Sequence, residues 1–277
     1  MNKESITARL RNKSKKTGVQ FNTLLSQFFF DEFLKKMSES EYSDHFTLKG
    51  GILMSSVLGL SNRATKDIDF LLNGFSMEKQ SLTEVIDRII GQHDQENVWF
   101  ERDDEGEPIR DEDEYGGYRF HLTGHLANIR VRFGIDIATG DPVTPAAEKI
   151  DYMMVTDEVI RIRAYPLETV LAEKVQTILN RAEANGRSKD FYDVYEIWKM
   201  KSNELQTENL KQAFARTFTY RNTVMNEASA LGILEKIEND EACRIRWGSY
   251  RNKNLYVGQL ELSDVLKSCR EIIKIIN

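Results

Sequence analysis

A chain of 277 residues, 40% apolar and 30% charged with a net charge of −6, has the make-up of an ordinary globular protein large enough for a substantial core. No apolar run reaches membrane-spanning length, and the polar, basic start does not read as a secretory signal. The two cysteines, Cys243 and Cys269, make neither a disulfide framework nor a metal-ligand spacing, so neither a membrane-spanning helix nor a disulfide scaffold is expected and a reduced, cytoplasmic setting is.

The charge is uneven. Residues 101–114, ERDDEGEPIRDEDE, hold nine acids and two arginines, which leaves the rest of the chain close to neutral. Residues 8–16, ARLRNKSKK, are basic, so the acidic total does not exclude a nucleic-acid partner. Only four prolines and no low-complexity tract argue against long disordered linkers.

In chain order, residues 1–37 read as helical. Phe21, Leu24, Leu25, Phe28, Phe29 and Phe33 recur at spacings of three and four. After a polar turn, HFTLKGG is a short lead-in ending at Gly50-Gly51, ILMSSVLGL a buried helix and SNRAT a loop. KDIDFLLNG alternates Ile68, Phe70 and Leu72 against Asp67, Asp69 and Leu71, the period of a strand with both aspartates on one face. MEKQSLTEVIDRIIGQH is a helix by spacing, and the acidic segment after it a surface loop or hairpin tip. YGGYRFHLTG and NIRVRFGIDIATG read as an antiparallel strand pair, PAAEKIDYMMV is ambiguous, and VIRIRAYP is a short strand. From Pro166 onward the pattern is helical. LETVLAEKVQTILNRAEA turns Leu167, Val170, Leu171, Val175, Ile178 and Leu179 inward, and SKDFYDVYEIWKM follows as a helix with Ser188 as a candidate N-cap. The remainder is mostly helical, with an excursion around residues 244–257.

The chemistry lies in the carboxylates. Asp67 and Asp69 project to one side of a strand, where two like charges repel unless a cation sits between them. Mg²⁺ suits the position, being hard, oxygen-seeking and apt to bridge carboxylates to phosphates. Asp136, between Ile135 and Ile137, is the candidate third carboxylate for a two-metal clamp. Lys49-Gly50-Gly51 leads into a helix, whose backbone N–H groups and dipole favour a phosphate, and Lys49 or Arg63 would neutralise its charge. A D-x-D also serves as a solvated strand end and a Gly-Gly as a plain turn; only the combination, in this order, points to a site.

LKGG, an apolar helix and then RATKDIDF resemble the opening motif of the polymerase-β-like nucleotidyltransferase superfamily. More narrowly, the chain resembles the AbiEii toxin family. The likeness includes LRNKSKKTGVQFNTLLSQFFFDEFLKKM, AYPLETVLAEKVQTIL and RSKDFYDVYEI, and covers roughly residues 1–200. The resemblance implies an α+β fold: a nucleotidyltransferase-type mixed sheet flanked by helices over residues 1–165, and a mainly helical domain over 166–277 that completes the active-site cleft. It implies a Mg²⁺-dependent enzyme that moves a nucleotide from a nucleoside triphosphate to an acceptor, with the tRNA 3′ end as the expected one, and a cognate antitoxin as partner. By motif, Asp67 and Asp69 would hold metal, while Lys174 and Asp193 would contact phosphate or complete the site, with Asp190 as the alternative in the same motif. Ile52 stands where the family usually has a small hydroxyl residue, which leaves phosphate binding there to backbone and Lys49.

Other readings stand beside this one. Lys174 would simply snorkel to solvent from an apolar helix. Asp190 and Asp193, three apart on a helix, would cap it or join Arg187 and Lys189 in a salt-bridge network. At the level of function, the alternatives are a catalytically silent nucleotide-binding module, whose acidic segment docks a basic partner, or a phosphotransferase acting on a protein hydroxyl. His45, His121 and His125 are read as structural, Phe28 to Phe30 as core, and Tyr192 and Tyr195 as helix packing.

Overall fold

The computed structural model describes residues 2–61, 63, 65–91, 97–109, 116–224 and 226–277. The chain forms two compact units, Met1–Gly140 with Glu148–Ala164, and Asp141–Ala147 with Tyr165–Asn277.

The first unit carries α1 (Lys3–Thr17), α2 (Phe21–Glu39), β1 (Phe46–Lys49), α3 (Gly50–Leu58), β2 (Asp67–Leu72), α4 (Lys79–Ile90), β3 (Val98–Arg102), β4 (Glu107–Ile109), β5 (Gly117–Leu126), β6 (Ile129–Ala138), β7 (Glu148–Met153) and β8 (Val159–Ala164). The strands make one mixed sheet in the order β3-β5-β6-β2-β1-β8-β7, with β4 pairing β5 beyond the end of β3. The β2–β6 and β1–β8 pairs are parallel and the others antiparallel. One sheet face is apolar: Ile68, Phe70 and Leu72 from β2, Phe120 and Leu122 from β5, and Phe133, Ile135 and Ile137 from β6 are all buried. Against it α2 sets its phenylalanines, with Phe33 edge-on to Phe100 and Phe133 at ring-centroid distances of 5.9 and 6.3 Å. The period-two alternation therefore leaves the opposite face of β2, β5 and β6 to charged residues.

The second unit holds α5 (Leu167–Arg181), α6 (Ser188–Lys201), α7 (Thr207–Tyr220), α8 (Glu227–Asn239), α9 (Glu241–Lys253) and α10 (Leu262–Ile276). α10 buries Leu262, Val265, Leu266, Cys269, Ile272 and Ile273, a 3–4 spacing that gives it one apolar stripe. The short segment Asp141–Ala147 is clasped to α5 by Thr169, whose Oγ1 accepts from the Thr144 N–H and donates to the Thr144 carbonyl, both at 2.8 Å.

The fold is thus the expected α+β arrangement, with four local departures. PAAEKIDYMMV contains strand β7, hydrogen-bonded to β8 along its length. Residues 244–257 are not an excursion but the body of α9 followed by a 3₁₀ turn, Leu255–Val257. Ser188 is the first helical residue of α6, and Arg187 takes the N-cap position with no side-chain cap. The acidic segment begins in β3 and passes through β4, which pairs antiparallel with β5, the extended hairpin and not the surface loop of the two expectations, and its residues 110–114 lie outside the described ones, as do Asn62 and Ala64 of the SNRAT loop. No described helix is long and apolar enough to cross a membrane.

Candidate active site

Asp67 and Asp69 lie on β2 with an exposure pattern that alternates against buried Ile68 and Phe70, so both carboxylates leave the sheet on its charged face. β6 runs parallel to β2 and sets Asp136 directly beside Asp69. β1 sets Lys49 on the other side of Asp69, and β5 sets Arg119 opposite Asp136. Neighbouring residues across a sheet share a face. One row across four strands therefore reads Arg119, Asp136, Asp69, Lys49, two acids between two bases, spanning roughly 14 Å at ordinary strand spacing.

Two glycines make room for the acids. Gly50 has φ +67°, and a Cβ there would come within 2.0 Å of Asp69 Oδ2. Gly134 is the β6 partner of Asp67, and a Cβ on it would come within 2.9 Å of Asp67 Oδ1. Gly50 also begins α3, whose N-terminus has no side-chain cap, so the Gly51 N–H points at Asp69 Oδ2 across 3.4 Å. The N–H groups at a helix start favour an anion, and here the Asp69 carboxylate takes one of them. Ile52 is fully buried in the core; a hydroxyl nonetheless borders the glycines, because a Cβ on Gly51 would meet Thr65 Oγ1 at 2.3 Å. Arg63 is buried in the loop after α3, where its backbone carbonyl accepts from Ser55 Oγ at 2.7 Å and its N–H donates to the Gly59 carbonyl.

Arg119 is the residue that sequence reasoning missed. Its Nε and Nη2 donate to Asp136 Oδ1 and Oδ2 at 2.6 and 2.7 Å, a two-pronged charge-assisted pair. The bond to Asp136 holds the guanidinium well above its ordinary pKa; partial burial opposes this, and the charges of Asp136, Asp67 and Asp69 add to it. Among the described residues, no three His, Cys, Asp or Glu side chains stand together as a ready metal cage. On this face both oxygens of Asp136 are engaged by Arg119. Asp67 and Asp69 are hard oxygen donors on one side of a strand, seated against Gly134 and Gly50, and that donor chemistry fits a divalent cation.

Lys174, Asp190 and Asp193 belong to the second unit and to one another. Lys174 on α5 donates to Asp190 Oδ1 and Asp193 Oδ2 on α6, each at 2.8 Å, and Arg187 reaches Asp190 Oδ2 at 2.9 Å. Burial works against the Lys174 charge, yet Asp193 and Asp190 hold its pKa above the ordinary lysine value. Burial likewise works against the Asp190 carboxylate, and Lys174 and Arg187 outweigh it to hold its pKa below the usual range. The lysine does not snorkel: its side chain is 14% exposed. The histidines are tied into the fold. His121 Nδ1 lies 2.6 Å from Asp104 Oδ2, His45 Nδ1 lies 2.9 Å from the Asn73 carbonyl, and His125 stacks beneath Trp99 at 3.7 Å. Tyr192 is buried and packs on Tyr250 and Tyr256. A cavity of about 270 Å³ is bordered by Gln27, Ser55, Tyr152 and Val155 and includes none of these carboxylates.

A family model described as nucleotidyl transferase AbiEii toxin, type IV toxin–antitoxin system, matches residues 32–268. The chain belongs to the AbiEii family. The match runs from within α2 into α10, further into the helical C-terminal part than the motif likeness reached. Two solved structures share the fold. One is a Helicobacter pylori protein described, provisionally, as a nucleotidyltransferase, with TM-score 0.51, 13% identity, and 93% of this chain and 96% of that one covered. The other is JHP933 from Helicobacter pylori, with TM-score 0.50, 11% identity and 93% of each chain covered. At such identities the likeness establishes the fold alone. A comparison with curated proteins finds no match. AbiEii membership makes the protein a nucleotidyltransferase, the toxin half of a toxin–antitoxin pair, and so one with a nucleotide substrate and an antitoxin partner.

Proposed function

We propose that this AbiEii nucleotidyltransferase transfers a nucleotide from a nucleoside triphosphate to an RNA 3′ hydroxyl, with tRNA as the acceptor, in the cytoplasm. The observation that carries the reading is the placing of Asp67, Asp69 and Asp136 on one sheet face beside the Gly50-Gly51 turn. Asp67 and Asp69 would hold Mg²⁺, with Asp136 as the third carboxylate. When bound, the cation supplies positive charge where the attacking and leaving oxygens of an in-line displacement gather negative charge.

The chain's own groups do the rest. The N–H groups at the start of α3 and the ammonium of Lys49 orient the triphosphate. Arg63 is the alternative to Lys49 as the source of that positive charge. Asp136 serves as third ligand or as the base that takes the acceptor hydroxyl's proton while that oxygen attacks the α-phosphorus and pyrophosphate leaves, and it does so only by freeing an oxygen from Arg119. The family motif has Lys174 and Asp193, with Asp190 as the alternative, contact phosphate or complete the site; within their own unit Lys174 is bonded to both carboxylates.

The test is incubation of the purified protein with α-labelled nucleoside triphosphates, Mg²⁺ and total tRNA. Label enters the tRNA with the wild type. Asp69→Ala lowers incorporation by about a thousandfold with its thermal midpoint kept, the scale of losing an interaction made to the transition state. Full transfer by that variant overturns the site. Nucleotide binding without label transfer identifies a silent module, and release of nucleoside diphosphate identifies a phosphotransferase.

A further inference from the structure

Arg119 lies inside the carboxylate row, and the transfer described above gives it no part. The row and its near neighbour contain three acids, Asp67, Asp69 and Asp136, against two bases, Lys49 and Arg119, for a formal charge of −1. A divalent cation added to this set turns the sum to +1. With the cation present, one of the two bases is surplus. Lys49 is buried, whereas the Arg119 side chain is 39% exposed, against 17% for Asp136. Arg119 is therefore the base with solvent to move into. It is also the base that holds both oxygens of one acid, and a guanidinium fork does this in a way an ammonium does not.

We propose that Arg119 is a positioning residue that stands in for a metal. In the metal-free protein its guanidinium neutralises the row and keeps Asp136 aligned beside Asp69. On loading, a divalent cation and Arg119 compete for the Asp136 oxygens. The same arginine thus sets the metal concentration at which the carboxylates convert from an internal ion pair to a cation site. This rests on the reading of Asp67 and Asp69 as metal ligands.

The experiment titrates EDTA-stripped full-length protein with Mg²⁺ and Mn²⁺ by calorimetry, alongside the metal-induced shift in thermal midpoint. Arg119→Met removes the competitor, so metal binds about tenfold more tightly, the scale of deleting a partly solvated like charge a few ångströms away. The metal-free midpoint falls, and metal restores it. Arg119→Lys keeps the charge and loses the fork, so its gain is smaller, roughly two- to threefold. In an Asp136→Asn background the effect of Arg119→Met shrinks below about twofold, because the shared partner is gone. The Mg²⁺ concentration for half-maximal transfer moves with the binding constant. Unchanged or weaker metal binding in a folded Arg119→Met protein overturns the proposal, as does an undiminished effect in the Asp136→Asn background. The underlying reading has its own control: Asp69→Asn abolishes metal binding. Binding that survives this change overturns the ligand assignment and leaves Arg119 to be judged by the Asp136 comparison. No binding by the wild type overturns both.

Discussion

Gly50 is the residue with least freedom to change. Its φ of +67° strains any side chain, and an added methyl group lands 2.0 Å from Asp69 Oδ2. Gly50→Ala should cost about 1–2 kcal/mol in stability from the backbone. The displaced carboxylate should lower turnover by more than a hundredfold, as misplacements of about 1 Å do. Gly258→Ala is the matched control: φ is +62° and nothing lies within 4 Å, so it carries a backbone cost without touching a carboxylate. Equal activity losses in the two variants would show that strain, and not the Asp69 position, limits the enzyme. At this scale the sequence was legible wherever the signal was local. Period two put Asp67 and Asp69 on one face, and the apolar neighbours of Asp136 put it on a strand. Arg119 and Gly134 were not legible, because each matters through its partner across the sheet. The register of Arg119 follows from the two-residue turn at Ala127 and Asn128, where Ala127 takes φ 52° without the glycine that usually announces such a turn, and that of Gly134 from the parallel pairing of β6 with β2.

Between elements, α5 and α6 are joined by a buried ion network. Lys174→Met leaves Asp190 and Asp193 without the ammonium that both contact, in a place where each side chain is at most 3% exposed. Breaking a buried pair from one side costs about 3–5 kcal/mol. Urea unfolding should show that loss for Lys174→Met and a partial recovery when Asp193→Asn is added, since the second change removes one stranded charge. A Lys174→Met protein within about 1 kcal/mol of wild type would contradict the burial described. Sequence periodicity identified both helices and placed Asp190 and Asp193 on a common face. It did not show which element that face meets, so the lysine read as a side chain reaching for water. Ser188 misled for a related reason: a good N-cap residue in the right neighbourhood lost that position to Arg187, whose guanidinium reaches Asp190 instead.

Over the whole molecule, acid stability has an unusual contributor in α2. Asp31 is fully buried, accepting from the Val155 N–H, Tyr152 Oη and Gln27 Nε2, and burial pushes its carboxyl up to about 6 despite those bonds. Burial likewise pushes Glu32 up to about 7, with Lys35 opposing and Asp31 adding. Both folded-state values exceed those of an unfolded chain, so the folded protein holds these protons more tightly. The stabilisation is complete below the unfolded values, near 4, and is lost as pH rises through about 6 for Asp31 and about 7 for Glu32. Thermal melts should show this pair favouring pH 5 over pH 8. Glu32→Gln should flatten that dependence by roughly 2 kcal/mol, the shift being discounted for the part of the group that meets water. An unaltered pH profile in Glu32→Gln would refute the assignment. The α+β class was legible because long amphipathic helices and alternating strands are statements about single segments. The sheet order was not, since β2 pairs with β6 across more than fifty intervening residues.

The clasp between Thr144 and Thr169 has a consequence for how such proteins can be taken apart. The chain enters its helical unit at Asp141, leaves it for the β7–β8 hairpin, and returns at Tyr165. Any single cut therefore strands a piece. Severing at 164 separates residues 141–147 from the helix that anchors them, and severing at 140 carries the hairpin away from its neighbour β1. A single junction therefore cannot trade the two units as cassettes, because the chain crosses their boundary after residues 140, 147 and 164.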